Sequence, residues 1–377
     1  MRRVDSVNDV ADTKAAGTKT IVVKVGTSSI THDDSPLLDE ESITKLCADI
    51  AEIRALGHRV VLVSSAAIAA GMAKLNLAER PRDFESLQAL SAVGQIELMR
   101  VYDKQCRALG FDCGQVLLAP PDFFDRARYL RARSCIESLM AFGVLPIVNE
   151  NDAVADDAIR FGDNDRIAAL VAHLVHADLL VLLTDTQGLL TADPRVDEHA
   201  SLIEEIRSVD REFEAMAGSA ASTMSQGGMA SKLSAAKIAS WSGVETVIAA
   251  AHRPNVLLDA ATETTGVGTL VRARAERLNA RKLWIAFALP SQGELRVDAG
   301  AQRALLDHGG SLLAVGLTSV TGSFLAGDAI DVIGPDGVAF AKGLAGLSTE
   351  EAVAAIGERA IEAVHRDDFV LLPAAHR

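Results

Sequence analysis

The stretch RFGDNDRIAALVAHLV, Arg160 to Val175, sets Asp163, Asn164 and Asp165 directly before an apolar stripe. Ile167, Leu170, Val171, Leu174 and Val175 recur at the i, i+3, i+4, i+7, i+8 spacing of one buried helix face. A single polar residue, Asp163 or Asn164, is enough to cap such a helix. The others need a second use, and NENDAV arrives a short loop earlier with Asn149, Glu150, Asn151 and Asp152. Carboxylates and amides gathered in this way suit holding a cationic amino group, ordering lysines, or reaching Mg2+ through water.

Two lysines are candidates for that company. Lys24 lies inside VVKVGTSS, two residues before Gly26. A lysine within an apolar strand is costly unless its ammonium reaches a polar site or an anion; the bland alternative is an edge lysine with a snorkelling stem. Lys232 follows the glycines of SQGGMASKLSAAKIAS, where Gly227 and Gly228 can expose successive N–H groups at the start of a helix. A lysine in the first turn opposes the helix dipole, at a cost of roughly 0.3–1 kcal/mol when exposed. An anion bound between them removes the conflict. No Gly-Lys dipeptide occurs, so a Walker A loop is absent. In LLTDTQGLLTADPR, Thr184 and Asp185 close an apolar run, and a plain strand-to-helix loop competes evenly with nucleotide contact. His173 and His176 read as packing or surface residues, and no Ser-His-Asp or Cys-His arrangement can be argued.

These groups need a scaffold. TIVVKVG, RVVLVSS, GQVLL, GVLPIVNEND, DLLVLLTD and VETVIAA read as strands separated by helical sequence. One helix carries Ile43, Leu46, Cys47, Ile50 and Ile53 on a single face and stops at Gly57. Continuous apolar strands alternating with helices predict a parallel sheet covered on both faces. Loops at the carboxyl ends of such strands build the ligand site, which selects Gly26-Thr27, Ser64-Ser65, Asn149 to Asp152, and Thr184-Asp185. The texture changes between Arg274 and Arg281 to short alternating runs with many glycines, a small β-rich domain in which GPDG is a hairpin turn.

The chain has 377 residues, 49% hydrophobic and 23% charged, enough for two packed domains. A formal net charge of −14 argues against a duplex DNA partner. Cys47, Cys106, Cys113 and Cys135 form no CxxC pair and are expected as small core residues in a reducing compartment. The first residues lack a signal peptide's apolar core and no run is long enough to span a bilayer, so a soluble, cytoplasmic protein without a membrane partner is expected.

VVKVGTSS, VSSAAIAAG, AVGQ, VNENDAV, RFGDNDRIAALVA, LLTDTQGLLTADPR, GGMASK and the terminal VHRDD resemble, in order and spacing, the glutamate 5-kinase family of the amino acid kinase superfamily. SLLAVGLTSVTGSFLAGD is similar to the signature of a PUA domain. The resemblance implies an α/β fold: a three-layer α/β/α sandwich with a mainly parallel open sheet, plus a small C-terminal β-rich PUA-like domain. The expected divisions are a disordered tail over 1–18, a catalytic domain over 19–274 and the PUA-like domain over 281–371. The implied reaction moves the γ-phosphoryl group of ATP, with Mg2+, to the side-chain carboxylate of L-glutamate, opening proline biosynthesis. Carried across by motif, Lys24 and Lys232 stabilise the transferring group and Asp165 orients them. Ser65, Asp152 and Asn164 hold glutamate. Lys24, Thr184, Asp185, Gln226, Gly227, Gly228, Met229 and Lys232 line the ATP site. A homo-oligomer and feedback by proline also follow from the resemblance.

This chain departs from the family pattern at Ala66, where glycine is usual, at Ser225-Gln226 in the nucleotide loop, and at Leu190, where tyrosine is common. Two other readings compete. One is a kinase of the same fold for aspartate or N-acetylglutamate. The other is a decayed kinase acting as a regulatory or RNA-binding protein through its C-terminal domain. RNA modules need basic and aromatic surface, and the segment from Arg281 onward is acidic with Trp284 as its only tryptophan.

Overall fold

A computed structural model describes residues 17–33, 35–154, 164–192, 199–207, 228–287 and 289–372. Its larger part is an eight-stranded sheet of order β3-β4-β2-β1-β5-β7-β8-β6. The strands are β1 (Thr20–Val25), β2 (Arg59–Ser64), β3 (Cys113–Leu118), β4 (Leu145–Glu150), β5 (Leu179–Thr184), β6 (Glu205–Ile206), β7 (Glu245–Ala250) and β8 (Thr269–Val271). β3, β4, β2, β1, β5 and β7 run parallel, while β8 meets β7 antiparallel. β1 sits inside the sheet, with Lys24 level with Val63 of β2 and Leu182 of β5.

Side chains alternate along each strand, and the two resulting cores show it. Val22, Val61, Val63, Val148, Leu180 and Leu182 face one way; Ile21, Val23, Val25, Leu62, Ile147 and Val181 face the other. Over the second face lie α1 (Glu40–Ala55) and α3 (Phe84–Ala108), together with α2 (Ala67–Lys74) and α8 (Val256–Ala261). The first face is covered by α5 (Arg126–Ala141), α6 (Asn164–Leu174) and α7 (Met229–Trp241), with the single turn α4 (Pro121–Phe124) beside them. This is the expected three-layer sandwich. α1 buries the five residues read from its periodicity, and Gly57 takes the left-handed conformation (φ 90°) that ends it. Of the cysteines expected in the core, Cys47 and Cys106 are buried, but Cys113 is only half-buried and Cys135 is exposed. Cys135 lies on α5, whose buried side is carried by Ile136, so the one-residue offset turns the thiol to solvent.

α2 and α3 approach backbone to backbone. A Cβ placed on Gly94 would lie 1.7 Å from the Ala67 carbonyl oxygen, and one on Gly71 would lie 2.0 Å from that of Leu90. This contact fixes where the first turn of α2 sits above the end of β2.

The C-terminal part begins with α9 (Ala280–Phe287). It continues as β9 (Gly293–Val297), α10 (Ala299–His308), β10 (Leu312–Leu313), β11 (Leu317–Gly322), β12 (Ala329–Ile333), β13 (Ala339–Leu344), α11 (Thr349–Ala354), β14 (Glu362–Val364) and β15 (Phe369–Leu371). Five strands order as β11-β9-β12-β13-β15 and two pair separately as β10-β14. Residues 334–337, the GPDG segment, turn β12 into β13, with Gly337 at φ 77°. α9 packs on α4 and on the end of α7, and its other flank joins β13 and β15 in a shared apolar cluster of Trp241, Leu283, Ile285, Leu344 and Val370. Among the described residues, no helix is long and apolar enough to cross a membrane.

Gly94→Ala should cost about 3 kcal/mol or more, because the obstacle is backbone and cannot swing aside. Chemical denaturation should show this as a lowered midpoint; an unchanged midpoint would mean the two helices are free to part.

Candidate active site

The carboxyl ends of β1, β2, β4 and β5 and the first turns of α2, α6 and α7 share one edge of the sheet. Lys24, on the α6 side of β1, projects to that edge: its ammonium would be 3.6 Å from a Cβ built on Gly26. Asp165 is the second residue of α6 and Lys232 the fourth of α7. The three meet. Lys24 Nζ is 2.5 Å from Asp165 Oδ1, and Lys232 Nζ is 3.2 Å from Asp165 Oδ2. Ser231 Oγ donates to the same Oδ2 at 2.8 Å. Lys24, Asp165 and Lys232 are only 4%, 0% and 6% exposed.

Burial alone pushes the Asp165 carboxyl up; Lys24, then Lys232 and the Ser231 hydroxyl outweigh it and hold the group below its ordinary value of 3.8. Two ammonium groups thus converge on one carboxylate in a place with little water.

Asn164, one residue earlier, works sideways. Its Nδ2 lies 2.9 Å from Ser65 Oγ, 2.9 Å from Asn149 Oδ1 and 3.3 Å from the Ser64 carbonyl oxygen. The amide thereby ties the start of α6 to the ends of β2 and β4. Capping by Asn164, one of the two options read from the sequence, is replaced by this cross-strand role; Asp163 lies outside the described residues. Asp152 accepts from Ser91 Oγ of α3 at 2.6 Å, which fixes it just beyond β4. Ser64 Oγ and Tyr102 Oη are 2.9 Å apart, both buried.

Thr184 is buried at the end of β5 and donates to the exposed Asp185 at 3.0 Å. Gly228 is the residue before α7 and accepts from Ser231 N and Lys232 N at 3.1 and 3.4 Å; Met229 opens the helix. Ser225, Gln226 and Gly227 lie outside the described residues. Leu190 forms an antiparallel bridge with Leu202. His173 is buried beside Tyr129, with ring centroids 6.2 Å apart, and burial pushes it down to about 4, so it is a neutral packing residue.

Ala66 is the residue before α2 and is held at φ 77°, ψ 7°. That is the left-handed region, where a Cβ is unfavourable and glycine is at home. The strain sits directly beside Ser65. Three contributors escaped sequence reading: Ser231, Asn149 as a bridge, and Ser91. Asn149 was selected by its place at a strand end, though not its pairing; of the two serines only Ser231 left a signal, as the immediate neighbour of Lys232 inside GGMASK.

Asp165→Asn removes the carboxylate shared by two buried ammonium groups and should cost about 3–5 kcal/mol at neutral pH. Because the folded carboxyl titrates below 3.8, its contribution is complete above that pH and is lost as pH falls through the folded value. The gap between wild type and variant in denaturation should therefore close in acid; a gap independent of pH would contradict the arrangement. Ala66→Gly should raise stability by about 1 kcal/mol, the left-handed penalty exceeding the added freedom of the unfolded chain. A lowered denaturation midpoint would show that Ala66 is not strained.

The chain matches the Amino acid kinase family over residues 19–250 and the PUA domain over residues 293–366. It is 47% identical over 336 residues to a glutamate 5-kinase of Burkholderia multivorans, covering 89% of this chain and 90% of the relative. It is 45% identical to the glutamate 5-kinase of Burkholderia orbicola over 95% of this chain and 99% of that one. With a glutamate 5-kinase of Polaromonas sp. it shares 46% identity over 88% and 87% of the two lengths. The buried lysine–aspartate–lysine cluster thus lies in a chain that belongs to the amino acid kinase family, among its glutamate 5-kinases, and carries a C-terminal PUA domain.

Proposed function

We propose that the protein transfers the γ-phosphoryl group of ATP to the side-chain carboxylate of L-glutamate, giving L-glutamyl 5-phosphate for proline biosynthesis. The observation that carries this reading is Asp165, fully buried and paired with two lysines at the carboxyl edge of a parallel sheet. A carboxylate is already a nucleophile at neutral pH, so no general base is needed. One glutamate oxygen attacks the γ-phosphorus, the bond to the β-phosphate oxygen breaks, and ADP leaves with that electron pair. What remains for the protein is to hold the reactants in line and neutralise the equatorial oxygens.

Lys24 and Lys232 do the neutralising. Asp165 keeps their ammonium groups aimed and apart. Lys24, Thr184, Asp185, Gly228, Met229 and Lys232, with Gln226 and Gly227, line the nucleotide, and the first-turn N–H groups of α7 face its phosphates. Ser65, Asp152 and Asn164 take glutamate. Asn164 supports this: its Oδ1 is buried and has no partner among the described residues, leaving it open to accept from an α-ammonium. Among the described residues no three His, Cys, Asp or Glu side chains group to hold a metal ion, and ammonium groups engage both Asp165 oxygens. The described residues therefore build no Mg2+ cage of their own, and Mg2+ would be carried by the nucleotide phosphates. A homo-oligomer and proline as a feedback inhibitor are part of the same proposal.

Glutamate-dependent ADP release in the presence of Mg2+ tests the reading. Lys232→Ala should lose about 100-fold or more in kcat, the scale of removing one oriented transition-state charge. Full activity in that variant would remove Lys232 from the chemistry. Phosphorylation of aspartate but not glutamate would move the substrate assignment to the other carboxylate kinases.

A further inference from the structure

We propose that Arg166 is a positioning residue through which the C-terminal domain holds the phosphoryl-transfer charges in place. Arg166 follows Asp165 on α6, and its side chain leaves the site. Its Nη2 donates to the carbonyl oxygen of Phe287, in the last turn of α9. Carbonyls there lack partners within their own helix and form its negative pole, so a guanidinium is well matched to them. Two residues on, Lys342 Nζ of β13 donates to the carbonyl oxygen of Leu289. Two cations, one from each domain, therefore grip the same short segment.

The segment touches the other catalytic helix as well. The Phe287 ring meets Trp241 edge-on, with centroids 5.2 Å apart and planes at 83°. Trp241 ends α7, the helix whose first turn carries Lys232. The end of α9 thus contacts the start of α6 by a hydrogen bond and the end of α7 by aromatic packing. Its opposite flank is anchored in the C-terminal domain: Leu283 and Ile285 pack with Leu344 and Val370, and Arg281 Nε lies 2.5 Å from Asp368 Oδ1. Asp165 grips two ammonium groups with its two oxygens, so a small turn of α6 relative to α7 changes both distances at once. Placement errors of about 1 Å at a reacting centre cost on the order of 100-fold in rate. Motion of the C-terminal domain, whatever causes it, is transmitted first to the charges carried by α6 and α7 and so to kcat; of the glutamate subsite only Asn164 rides on α6, where its amide is tied back to Ser65 and Asn149.

The inference rests on the proposed reaction for its kinetic readout, and the test separates the two. Full-length wild type, Arg166→Met, Arg166→Lys and Lys342→Met are compared by glutamate-dependent ADP release and by amide hydrogen exchange. Arg166→Met should lower kcat about 10-fold or more, with a smaller change in KM for glutamate because Asn164 alone of that subsite lies on α6, the signature of an interaction needed mainly in the transition state. Arg166→Lys, which keeps a cationic donor, should recover most of the loss. Lys342→Met should show the same kcat-selective effect in smaller measure, and it decides the matter if Arg166→Met does not fold. Wild-type kcat in the variant that folds, a change in KM alone, or failure of the lysine to rescue would overturn the proposal. Wild type without glutamate-dependent ADP release would sink the substrate reading instead. The coupling would then stand or fall on whether the amides of α6 and α7 exchange faster in Arg166→Met, unchanged exchange overturning it.

Discussion

The carboxylate of Asp165 between two ammonium groups is the interaction on which the site depends. It is expensive in isolation: three charges taken almost wholly out of water repay the loss only when geometry and further hydrogen bonds are good. Here Ser231 supplies the additional donor to a cluster sited at the sheet edge. Its three members come from a strand and two helices, so its geometry is only as good as the packing of those elements.

That packing is tight where it matters. α6 lies over β1 and against α7, with Ile167, Val171 and Leu174 of α6 and Leu233, Ala236 and Ile238 of α7 all buried in one core. Asn164 laces the start of α6 to β2 and β4. The backbone contact between α2 and α3 sets the strand-end loop holding Ser65 and Ala66. Lys24, Asn164, Asp165 and Lys232 are thus borne on regular elements and braced by polar contacts behind them, the arrangement that keeps the spread of such distances small. The left-handed Ala66 is the exception, a strained residue at the rim that the surrounding helix and strand impose.

Much of the scaffold was legible because its signals are local. Apolar runs such as LLVLLT and the periodic face of α1 specify strands and a helix with little help from the rest of the chain. The strand-end rule then brought Lys24, Ser65, Asn149, Asp152 and Thr184 to one edge, which is a topological consequence of parallel strands. Pairings across that edge were not legible. Whether Asn164 caps its helix or reaches Ser65 depends on the angle between α6 and β2, which only tertiary packing sets. Ser91 stands on α3 with no distinguishing neighbour, yet it fixes Asp152. Ala66 reads as an ordinary helix former, and only the turn it occupies reveals its cost. The junction after the sheet was visible as a change of texture, but not that α9 would be shared by both sides, since either domain could have buried its apolar face.

Lys24 lies in the middle of the sheet, flanked by β2 and β5, while its counter-ion arrives from a helix far along the chain. Until that helix docks, closing the central strands would strand a bare ammonium against hydrocarbon. The N-terminal strands and helices are thus denied independent stability, however apolar they are. Assembly of the sheet's centre and arrival of the aspartate become a single cooperative event, and a chain truncated ahead of Asp165 is left without a stable core.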